Sequence, residues 1–387
     1  MKHFDGKVWL HAAGPLTLAL ILSGCGGSSV HMTPNPTPDP SPTPNPAHAS
    51  AKFLYVVNSI EATVQGFSID GSTGRLSSNG PAVPADDAPL YAASTPNGKF
   101  LYVANAGTDA IGVSGYRIEP ISGVLTPTAP AEFPITGDSQ PLGIVVDLTS
   151  THLYTSNAQT ISAFNIDPVT GALSDVPGTP VTVPVTSNLQ LVALTPDARF
   201  LYATDLINRR VWEFSISESG LPVLMNSSAA TGDSPEGIAL DSEGKFLFVA
   251  NWLSNSISRF VITPGTGVLV SAGAPIPMEA SCGPQELTVD PSGKFLFVSC
   301  ASINKIARFS IDLGSGNLTA LPSFSTGALT GPRGIAIDFS GSYLYSAWNM
   351  QNKAGAAAVD QTGVLSAVPG TPPTGRGPIG VALSGHQ

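Results

Sequence analysis

The sequence is short of charged residues, and of basic ones above all. Only 11% of its 387 residues are Asp, Glu, Lys or Arg, and 17 Lys and Arg stand against 27 Asp and Glu, which gives a net charge of −10 at pH 7. Binding to nucleic acid or to an anionic lipid surface relies on clustered basic side chains. We therefore expect no nucleic-acid partner.

The sequence also has no long hydrophobic run after residue 25. A membrane-spanning helix needs about 18 consecutive apolar residues, and no later stretch comes near that length. Glycine (40 residues) and proline (35 residues) are abundant instead. Both are unfavourable inside helices and suit tight turns between short strands, so the composition favours an all-β domain.

Histidine is too scarce for most metal or nucleophilic sites. Of the six histidines, only His152 lies inside the repeats described below, where the other repeats carry Phe or Tyr, so a structural role is favoured over a chemical one. A multi-histidine metal site and a Ser-His-Asp triad are not expected, and no D-x-D-x-D-G calcium loop is present. We predict no metal and no cofactor.

Residues 1–24 are typical of a removable export signal. Lys2 and Lys7 precede a short apolar core, "PLTLALIL" at 15–22. The following "LSGC" ends in Cys25 and resembles a bacterial lipobox, in which the cysteine is lipidated and becomes the first mature residue; a plain secretory signal is the alternative. We expect an exported protein anchored in the bacterial cell envelope through Cys25, on the periplasmic or surface face of the outer membrane, with the membrane as its partner.

Residues 25–50 form a linker that follows this cysteine. Proline occupies every second position from Pro34 to Pro46, which favours an extended polyproline II chain with nothing to bury. We interpret the segment as a stalk, and the folded domain as residues 51–387.

One hexapeptide recurs seven times in that domain, at intervals of 46 to 52 residues. Such a period indicates a stacked or radial array. Around each copy stand a preceding strand such as "GIALD" at 237–241, a turn such as "SEGK", a following strand such as "NSISRFVI" at 255–262, and an edge strand. The copies are "FLYVVN" from 53, "FLYVAN" from 100, "HLYTSN" from 152, "FLYATD" from 200, "FLFVAN" from 246, "FLFVSC" from 295 and "YLYSAW" from 343.

Four antiparallel strands in a unit of this length predict a β-propeller blade. The chain ends in a first strand, "GVAL" at 380–383, and begins with a hexapeptide that lacks one, so the two ends should pair and close a ring of seven blades that hides its edges. A pair of β-sandwiches and an open solenoid are the alternatives, but an open array needs polar capping repeats, which are not seen.

These repeats resemble a known family. "YVAN" and "FVAN" followed by "I--F-I----G-L" are similar to YVTN-type propellers and to the seven-bladed lactonase family, which includes bacterial 6-phosphogluconolactonase-like proteins, over about residues 51–387. The resemblance implies histidines before two first strands, and Glu and Arg after hexapeptides, that polarise a lactone carbonyl and activate water at the channel mouth. Here Gln190 and Gly237 stand at the histidine positions, and Trp252 and Ala301 stand at the Glu and Arg positions.

The loops before each first strand and after each hexapeptide should share the face around the channel. This placement predicts a ligand-binding mouth, because aromatic and arginine side chains are favoured in recognition; packing of the two tryptophans between blades is the alternative. The predicted mouth residues are Tyr91, Gln190, Asp205, Arg209, Glu236, Trp252, Glu286, Arg333 and Trp348.

Two cysteines flank one predicted hairpin. If Asp290 pairs with Phe295, Cys300 faces Gln285, and the bend at Gly283-Pro284 brings Cys282 back within disulfide reach. Export makes oxidation feasible. A disulfide between Cys282 and Cys300 and a pair of free buried thiols are both open.

Two functions follow as hypotheses. The first, preferred because no histidine base is found at the mouth, is a lipid-anchored binding platform for a small ligand, a glycan or a protein. The second is a lactonase that hydrolyses a sugar lactone, with Arg333 and Glu236 as the residues to test. A redox propeller with a quinone cofactor would need tryptophan docking repeats, which the sequence lacks.

Overall fold

The structure, a computed structural model, describes residues 51–107, 112–135 and 140–385. These residues form seven antiparallel sheets of four or five strands, which confirms the predicted all-β class. The export signal, Cys25 and the linker lie outside the described residues, so those predictions stay predictions. No described helix is long and apolar enough to cross a membrane.

The strands are short, as the density of turn residues predicts, and only one turn of 3-10 helix, Ala301–Ile303, interrupts them among the described residues. In chain order the strands are β1 (Phe53–Asn58), β2 (Thr63–Ile69), β3 (Leu76–Ser78), β4 (Val83–Pro84), β5 (Pro89–Ser94), β6 (Phe100–Asn105), β7 (Gly112–Ile118), β8 (Leu125–Pro134), β9 (Gly143–Val146), β10 (His152–Ser156), β11 (Thr160–Ile166), β12 (Leu173–Asp175), β13 (Val181–Thr182), β14 (Leu189–Leu194), β15 (Phe200–Asp205), β16 (Arg210–Ile216), β17 (Pro222–Ala230), β18 (Pro235–Leu240), β19 (Phe246–Asn251), β20 (Ser256–Ile262), β21 (Leu269–Ser271), β22 (Ile276–Pro277), β23 (Pro284–Val289), β24 (Phe295–Cys300), β25 (Lys305–Ile311), β26 (Leu318–Ser325), β27 (Pro332–Ile337), β28 (Tyr343–Trp348), β29 (Lys353–Val359), β30 (Leu365–Ala367) and β31 (Pro378–Ser384).

Each sheet is one blade, and we number the blades in chain order. Blade 1 combines β31 with β1, β2, β3 and β4; blade 2 is β5–β8; blade 3 is β9–β13; blade 4 is β14–β17; blade 5 is β18–β22; blade 6 is β23–β26; and blade 7 is β27–β30. The first strand of every blade packs beside the first strands of its two neighbours, in unbroken order from β5 round to β31. These seven inner strands therefore enclose the central channel.

The two ends of the domain close the ring. In blade 1, Leu54 pairs with Leu383 and Val56 pairs with Val381, in antiparallel register. One sheet is thus built from both chain ends, as the sequence predicts, and seven blades result.

The hexapeptide is the second strand of every blade, and its burial explains its composition. Every residue of β1, β6, β15 and β19 is buried. A strand covered on both faces favours a continuous run of β-branched and aromatic residues. The hexapeptide therefore supplies the core between blades.

The first residue of each hexapeptide packs against a glycine of the next blade. In six blades this residue is Phe or Tyr, and in blade 3 it is His152, which lies over Gly220 and within 3.1 Å of Asp147 Oδ2. A Cβ on any of these glycines would collide with the ring. The pairs are Phe53–Gly123, Phe100–Gly171, His152–Gly220, Phe200–Gly267, Phe246–Gly316, Phe295–Gly363 and Tyr343–Gly74.

In blades 1, 2 and 4 a hydrogen bond from the tyrosine at the third hexapeptide position reinforces this contact. Tyr102 Oη donates to the Gly171 carbonyl at 2.8 Å, and Tyr55 and Tyr202 make the same bond to their own glycines. Blade 6 has Phe297 at this position, and the facing Arg308 donates to the Gly363 carbonyl instead. The blade contact is therefore kept by a different side chain.

The aspartates before the hairpins cap their own turns. Asp241 Oδ1 accepts hydrogen bonds from the N–H groups of Lys245 and Phe246, both at 2.7 Å. Asp338 does the same for Ser342 and Tyr343. These carboxylates are engaged in turn formation.

Candidate active site

The inner strands carry a β-bulge where they reach the channel mouth. In blade 5, Pro235 pairs with Asn251 and Ile238 pairs with Val249, so Glu236 and Gly237 stand against the single residue Ala250. The same shift occurs in the other blades except blade 3, where β9 begins at Gly143. Bulges re-aim side chains, and here the bulge recurs at the end of the inner strands that lies at the channel mouth.

We call these two positions the first and second bulge residues. The first bulge residues are Leu90, Leu142, Gln190, Glu236, Gln285, Arg333 and Ile379, with Leu142 assigned from the shared Pro-x-Gly phrase. All seven are half-buried. The second bulge residues are Tyr91, Gly143, Leu191, Gly237, Glu286, Gly334 and Gly380.

The bulges of neighbouring blades abut and form a closed collar around the channel. A Cβ at Gly143 would lie 2.7 Å from the Gln190 carbonyl oxygen, and one at Gly334 would collide with the Ile379 carbonyl. The second bulge position is therefore glycine where the next backbone comes close. Glu236 and Arg333 occupy first bulge positions and both act electrostatically on Tyr91 of blade 2, so we infer that the equivalent first bulge positions of the other blades also line the mouth.

Four ionisable side chains of this collar influence one another. Burial raises the pKa of Tyr91, the negative charges of Glu286 and Glu236 raise it further, and Arg333 lowers it. Tyr91 therefore remains a neutral phenol. The other three groups therefore lie within electrostatic range of Tyr91.

The two glutamates have unusual acidities. Burial raises the pKa of Glu236 to about 7, and the positive charge of Arg333 acts in the opposite direction. Burial raises the pKa of Glu286 to about 8, against the effect of a hydrogen bond from the Ile335 N–H to Glu286 Oε2 at 3.2 Å. Near neutral pH, Glu236 is thus close to half-ionised, and Glu286 is largely protonated.

Backbone contacts fix Glu286 in place. Its N–H donates to Ser299 Oγ at 3.0 Å, and Ser299 Oγ donates back to the Glu286 carbonyl at 3.2 Å. Just outside this pair, a disulfide joins Cys282 to Cys300, with 4.5 Å between their Cα atoms. Cys300 pairs with Pro284, and not with Gln285 as predicted, because the bulge shifts the register by one residue.

Such a set can catalyse acyl transfer to water. A carboxylate whose pKa lies near the working pH is an effective general base. A guanidinium can stabilise the oxyanion that develops on a carbonyl oxygen, and a protonated carboxyl can supply a proton to a leaving alkoxide. Among the described residues, no group of three or more His, Cys, Asp and Glu could hold a metal ion.

Of the nine predicted mouth residues, five lie on the collar: Tyr91, Gln190, Glu236, Glu286 and Arg333. The other four lie elsewhere. Asp205 is fully buried and accepts hydrogen bonds from Trp212 Nε1 at 2.9 Å and from Asn208 Nδ2 at 2.7 Å, so it holds its own loop. Arg209 is exposed and pairs with Asp233 at 3.0 Å.

The two tryptophans pack against backbone. Trp348 lies over Gly355 of its own blade and donates from Nε1 to Ser346 Oγ at 2.8 Å. Trp252 packs beside Gly283, next to the disulfide, and keeps 39% of its surface exposed. Neither side chain belongs to the ionisable cluster.

Sequence reasoning missed four first bulge residues: Leu90, Leu142, Gln285 and Ile379. A signal was present for two of them, Leu142 and Ile379, because "PLG", "PEG", "PRG" and "PIG" stand at the start of four of the inner strands. The middle residue of this phrase is the first bulge residue.

A cavity lies away from this site. It has a volume of about 600 Å³, lies between blades 6 and 7, and is lined by Asp290, Lys294 and Asp360 among others. These residues belong to the turns at the opposite end of the strands, so the cavity has no part in the chemistry of the mouth.

The fold and the site define a seven-bladed propeller with a carboxyl-rich channel mouth. The chain matches the model of the family described as "Lactonase, 7-bladed beta-propeller" over residues 45–190, 91–282 and 274–379. It belongs to this lactonase family.

Similar proteins agree with this assignment. The 6-phosphogluconolactonase of Enterobacter sp. (strain 638) is 35% identical over 82 residues, which make up 21% of this chain and 25% of that relative. The match thus spans only a quarter of the relative's length.

Solved structures share the fold. The periplasmic gluconolactonase of Pseudomonas aeruginosa has a TM-score of 0.72 at 21% identity, covering 88% of this chain and 100% of that chain. A candidate 6-phosphogluconolactonase of Bacteroides uniformis has a TM-score of 0.74 at 19% identity, covering 86% and 99%.

The preferred hypothesis of the sequence analysis, a binding platform, is wrong. The family match and the 6-phosphogluconolactonase relative point to lactonases, which was the alternative. The error came from requiring a histidine base. Glu236 stands one residue before Gly237, where the histidine was sought, and burial raises its pKa into the range of an imidazole.

Proposed function

We propose that this protein hydrolyses a lactone at the channel mouth. The observation that carries the proposal is the convergence of Glu236, Glu286 and Arg333 on one collar, with one carboxyl ionising near pH 7, in a chain of the lactonase family. The names of the similar proteins point to gluconolactones as the first lactones to test.

The reaction adds one water molecule across the ring ester bond. Glu236, in its carboxylate form, accepts a proton from the water as the water oxygen attacks the lactone carbonyl carbon. Arg333 stabilises the oxyanion. When the ring C–O bond breaks, protonated Glu286 donates its proton to the leaving alkoxide, and the product is a hydroxy acid. Glu236 then loses the proton that it took from water and Glu286 regains one from solvent, so both carboxyls return to their starting states, and the acid released to solvent comes from ionisation of the product.

Tyr91 contributes as a hydrogen-bond donor. Its raised pKa keeps the phenol neutral, so it orients the lactone without adding charge. The four side chains come from blades 2, 5, 6 and 7, and closure of the ring is therefore needed to assemble them.

The test is acid release from δ-valerolactone and glucono-δ-lactone in a pH-stat, with residues 51–387, above the spontaneous rate. We expect Glu236→Gln to lower kcat about 10²-fold or more, the usual effect of losing a general base. We expect Arg333→Met to lower kcat about 10²-fold, and Arg333→Lys to recover part of that loss.

Glu213→Gln is the matched control. Glu213 is also a buried carboxyl with a raised pKa, but it bonds to Ser227 Oγ in blade 4, away from the mouth. Its replacement should leave kcat for lactone hydrolysis within about twofold of the wild-type value. Equal losses in Glu213→Gln and Glu236→Gln, or no hydrolysis by the wild-type protein, would refute the proposal.

A further inference from the structure

The first bulge residues divide the channel mouth into two halves. Blades 4 to 7 contribute Gln190, Glu236, Gln285 and Arg333, which we call the polar arc. Blades 1 to 3 contribute Ile379, Leu90 and Leu142, which we call the apolar arc. Because blade 1 lies between blades 7 and 2, each arc is continuous.

The reactive groups all belong to the polar side. Glu236 and Arg333 are members of the polar arc, and Glu286 is the second bulge residue beside Gln285. Gln285 Oε1 is buried and has no hydrogen-bond partner among the described residues, so it is available to a ligand hydroxyl or N–H. Polar recognition is thus concentrated on one side of the mouth.

The apolar arc faces this side across the channel. Its three side chains are half-buried, and Tyr91, the second bulge residue of blade 2, extends the same side with a phenol ring. A sugar lactone carries hydroxyl groups around its whole rim, and those that met Leu90, Leu142 and Ile379 would lose their hydrogen bonds to water. An alkyl group there would be removed from water with a gain of about fourfold in affinity per methylene.

We propose that the preferred substrate is a lactone with an alkyl substituent. This inference rests on the proposed lactone hydrolysis. The ring carbonyl faces Glu236 and Arg333, and the substituent lies on the apolar arc. A polyhydroxylated lactone matches one half of the mouth only.

The experiment compares three substrates: glucono-δ-lactone, δ-valerolactone, and δ-decalactone, which is δ-valerolactone with a pentyl chain. We expect kcat/KM, corrected for spontaneous hydrolysis, to be at least tenfold higher for δ-decalactone than for either of the others. The gain should appear mainly in KM, because the alkyl contact is made equally in the ground state and the transition state.

Leu142→Gln tests the arc itself. Gln190 occupies the corresponding position of the next blade, so the backbone accommodates glutamine there. We expect Leu142→Gln to lower kcat/KM about tenfold more for δ-decalactone than for δ-valerolactone, and Leu142→Met, which stays apolar, to restore most of the preference for δ-decalactone.

The outcomes separate this inference from the proposed function. If glucono-δ-lactone is hydrolysed and δ-decalactone is the poorer substrate, the inference is overturned and the proposed function stands. The same conclusion holds if Leu142→Gln lowers kcat/KM equally for δ-valerolactone, which has no alkyl substituent, and for δ-decalactone, which has one. If none of the three lactones is hydrolysed, the proposed function fails and the inference falls with it.

Discussion

The carboxylate of Glu286 in blade 6 accepts a hydrogen bond from the Ile335 N–H in blade 7, at 3.2 Å. The bond crosses from one blade to the next at the channel mouth. Partial burial of this carboxyl favours its protonated form, because fewer water molecules reach it and only one backbone donor compensates the charge. The ionisation of Glu286 therefore affects both the reaction and the stability of the ring.

Stability should fall as pH rises, and Glu286 should account for part of the fall. Its pKa in the folded protein is about 8, above the ordinary value of about 4.3 for an unfolded chain. Between these two values the folded state holds a proton that the unfolded state has lost, so the free energy of unfolding decreases with increasing pH.

Glu286→Gln removes this dependence. At pH 4 the variant should match the wild type, and at pH 8.5 it should be more stable by on the order of 2 kcal/mol, a value reduced for the partial exposure of the side chain. Urea unfolding at pH 4, 6 and 8.5 measures the difference. Glu218→Gln, on an exposed turn, should show no such trend; a constant offset of Glu286→Gln at every pH would contradict the assignment.

The rate should depend on pH with a maximum between about 7 and 8. Below this range Glu236, whose pKa is about 7, is protonated and cannot accept a proton. Above it Glu286, whose pKa is about 8, has lost the proton that it donates. The profile of kcat/KM for δ-valerolactone reports these two ionisations as apparent values of the pair.

Two variants separate the limbs of this profile. Glu286→Gln should lower the rate and remove the decrease on the alkaline side, while the acid side stays. Glu236→Gln should remove the rise on the acid side from whatever activity remains. An alkaline limb that persists in Glu286→Gln would exclude Glu286 as the proton donor.

The sequence predicted the ring well because the ring depends on repeated local patterns. The hexapeptide from Phe53 and the final strand at Val381 each lack a partner, and their pairing follows from counting. The bulge was not predictable from periodicity, since one extra residue shifts the partner of Cys300 from Gln285 to Pro284. The pKa of Glu236 was not predictable for a different reason. It depends on burial and on the charge of Arg333, which the fold brings from another blade.

Removal of the disulfide should loosen the bulge that holds Glu286. Cys282 and Cys300 are fully buried and 18 residues apart, and they tie the start of β23 to the end of β24 directly beside Gln285 and Glu286. Closing a loop of this size contributes about 3 kcal/mol. We expect the double variant Cys282→Ser/Cys300→Ser to have a free energy of unfolding in urea that is lower by about 3 kcal/mol. We also expect the pKa of Glu286 to fall, because water enters the loosened bulge.

Asn157→Ala serves as the control for this loss. Asn157 is the last hexapeptide residue of blade 3, the counterpart of Cys300, and it donates to Thr160 Oγ1 and Ser162 Oγ. Its replacement should destabilise blade 3, and this blade contributes no ionisable residue to the collar. Titration of ¹³C-labelled glutamate side chains by NMR should show the pKa of Glu286 unchanged in Asn157→Ala. If the pKa of Glu286 is also unchanged in the cysteine double variant, the disulfide does not influence the site.

Gly74 lies at the contact between blade 7 and blade 1, the blade that both chain ends build. Gly74 has a φ of +68°, and Tyr343 lies over it with its hydroxyl donating to the Ser72 carbonyl at 2.8 Å. Alanine at this position meets two penalties: about 1 kcal/mol for the left-handed backbone, and about 1–3 kcal/mol because its Cβ collides with the tyrosine ring.

Gly265→Ala separates these two penalties. Gly265 has a φ of +78°, and a Cβ there has no atom within 4 Å, so only the backbone penalty applies. We expect the free energy of unfolding, measured in urea, to fall by about 2–4 kcal/mol in Gly74→Ala and by about 1 kcal/mol in Gly265→Ala. Because Tyr91, Glu236 and Arg333 are assembled only in a closed ring, Gly74→Ala should also lower lactone hydrolysis, and equal stability of the two variants would show that the tyrosine contact does not hold the ring closed.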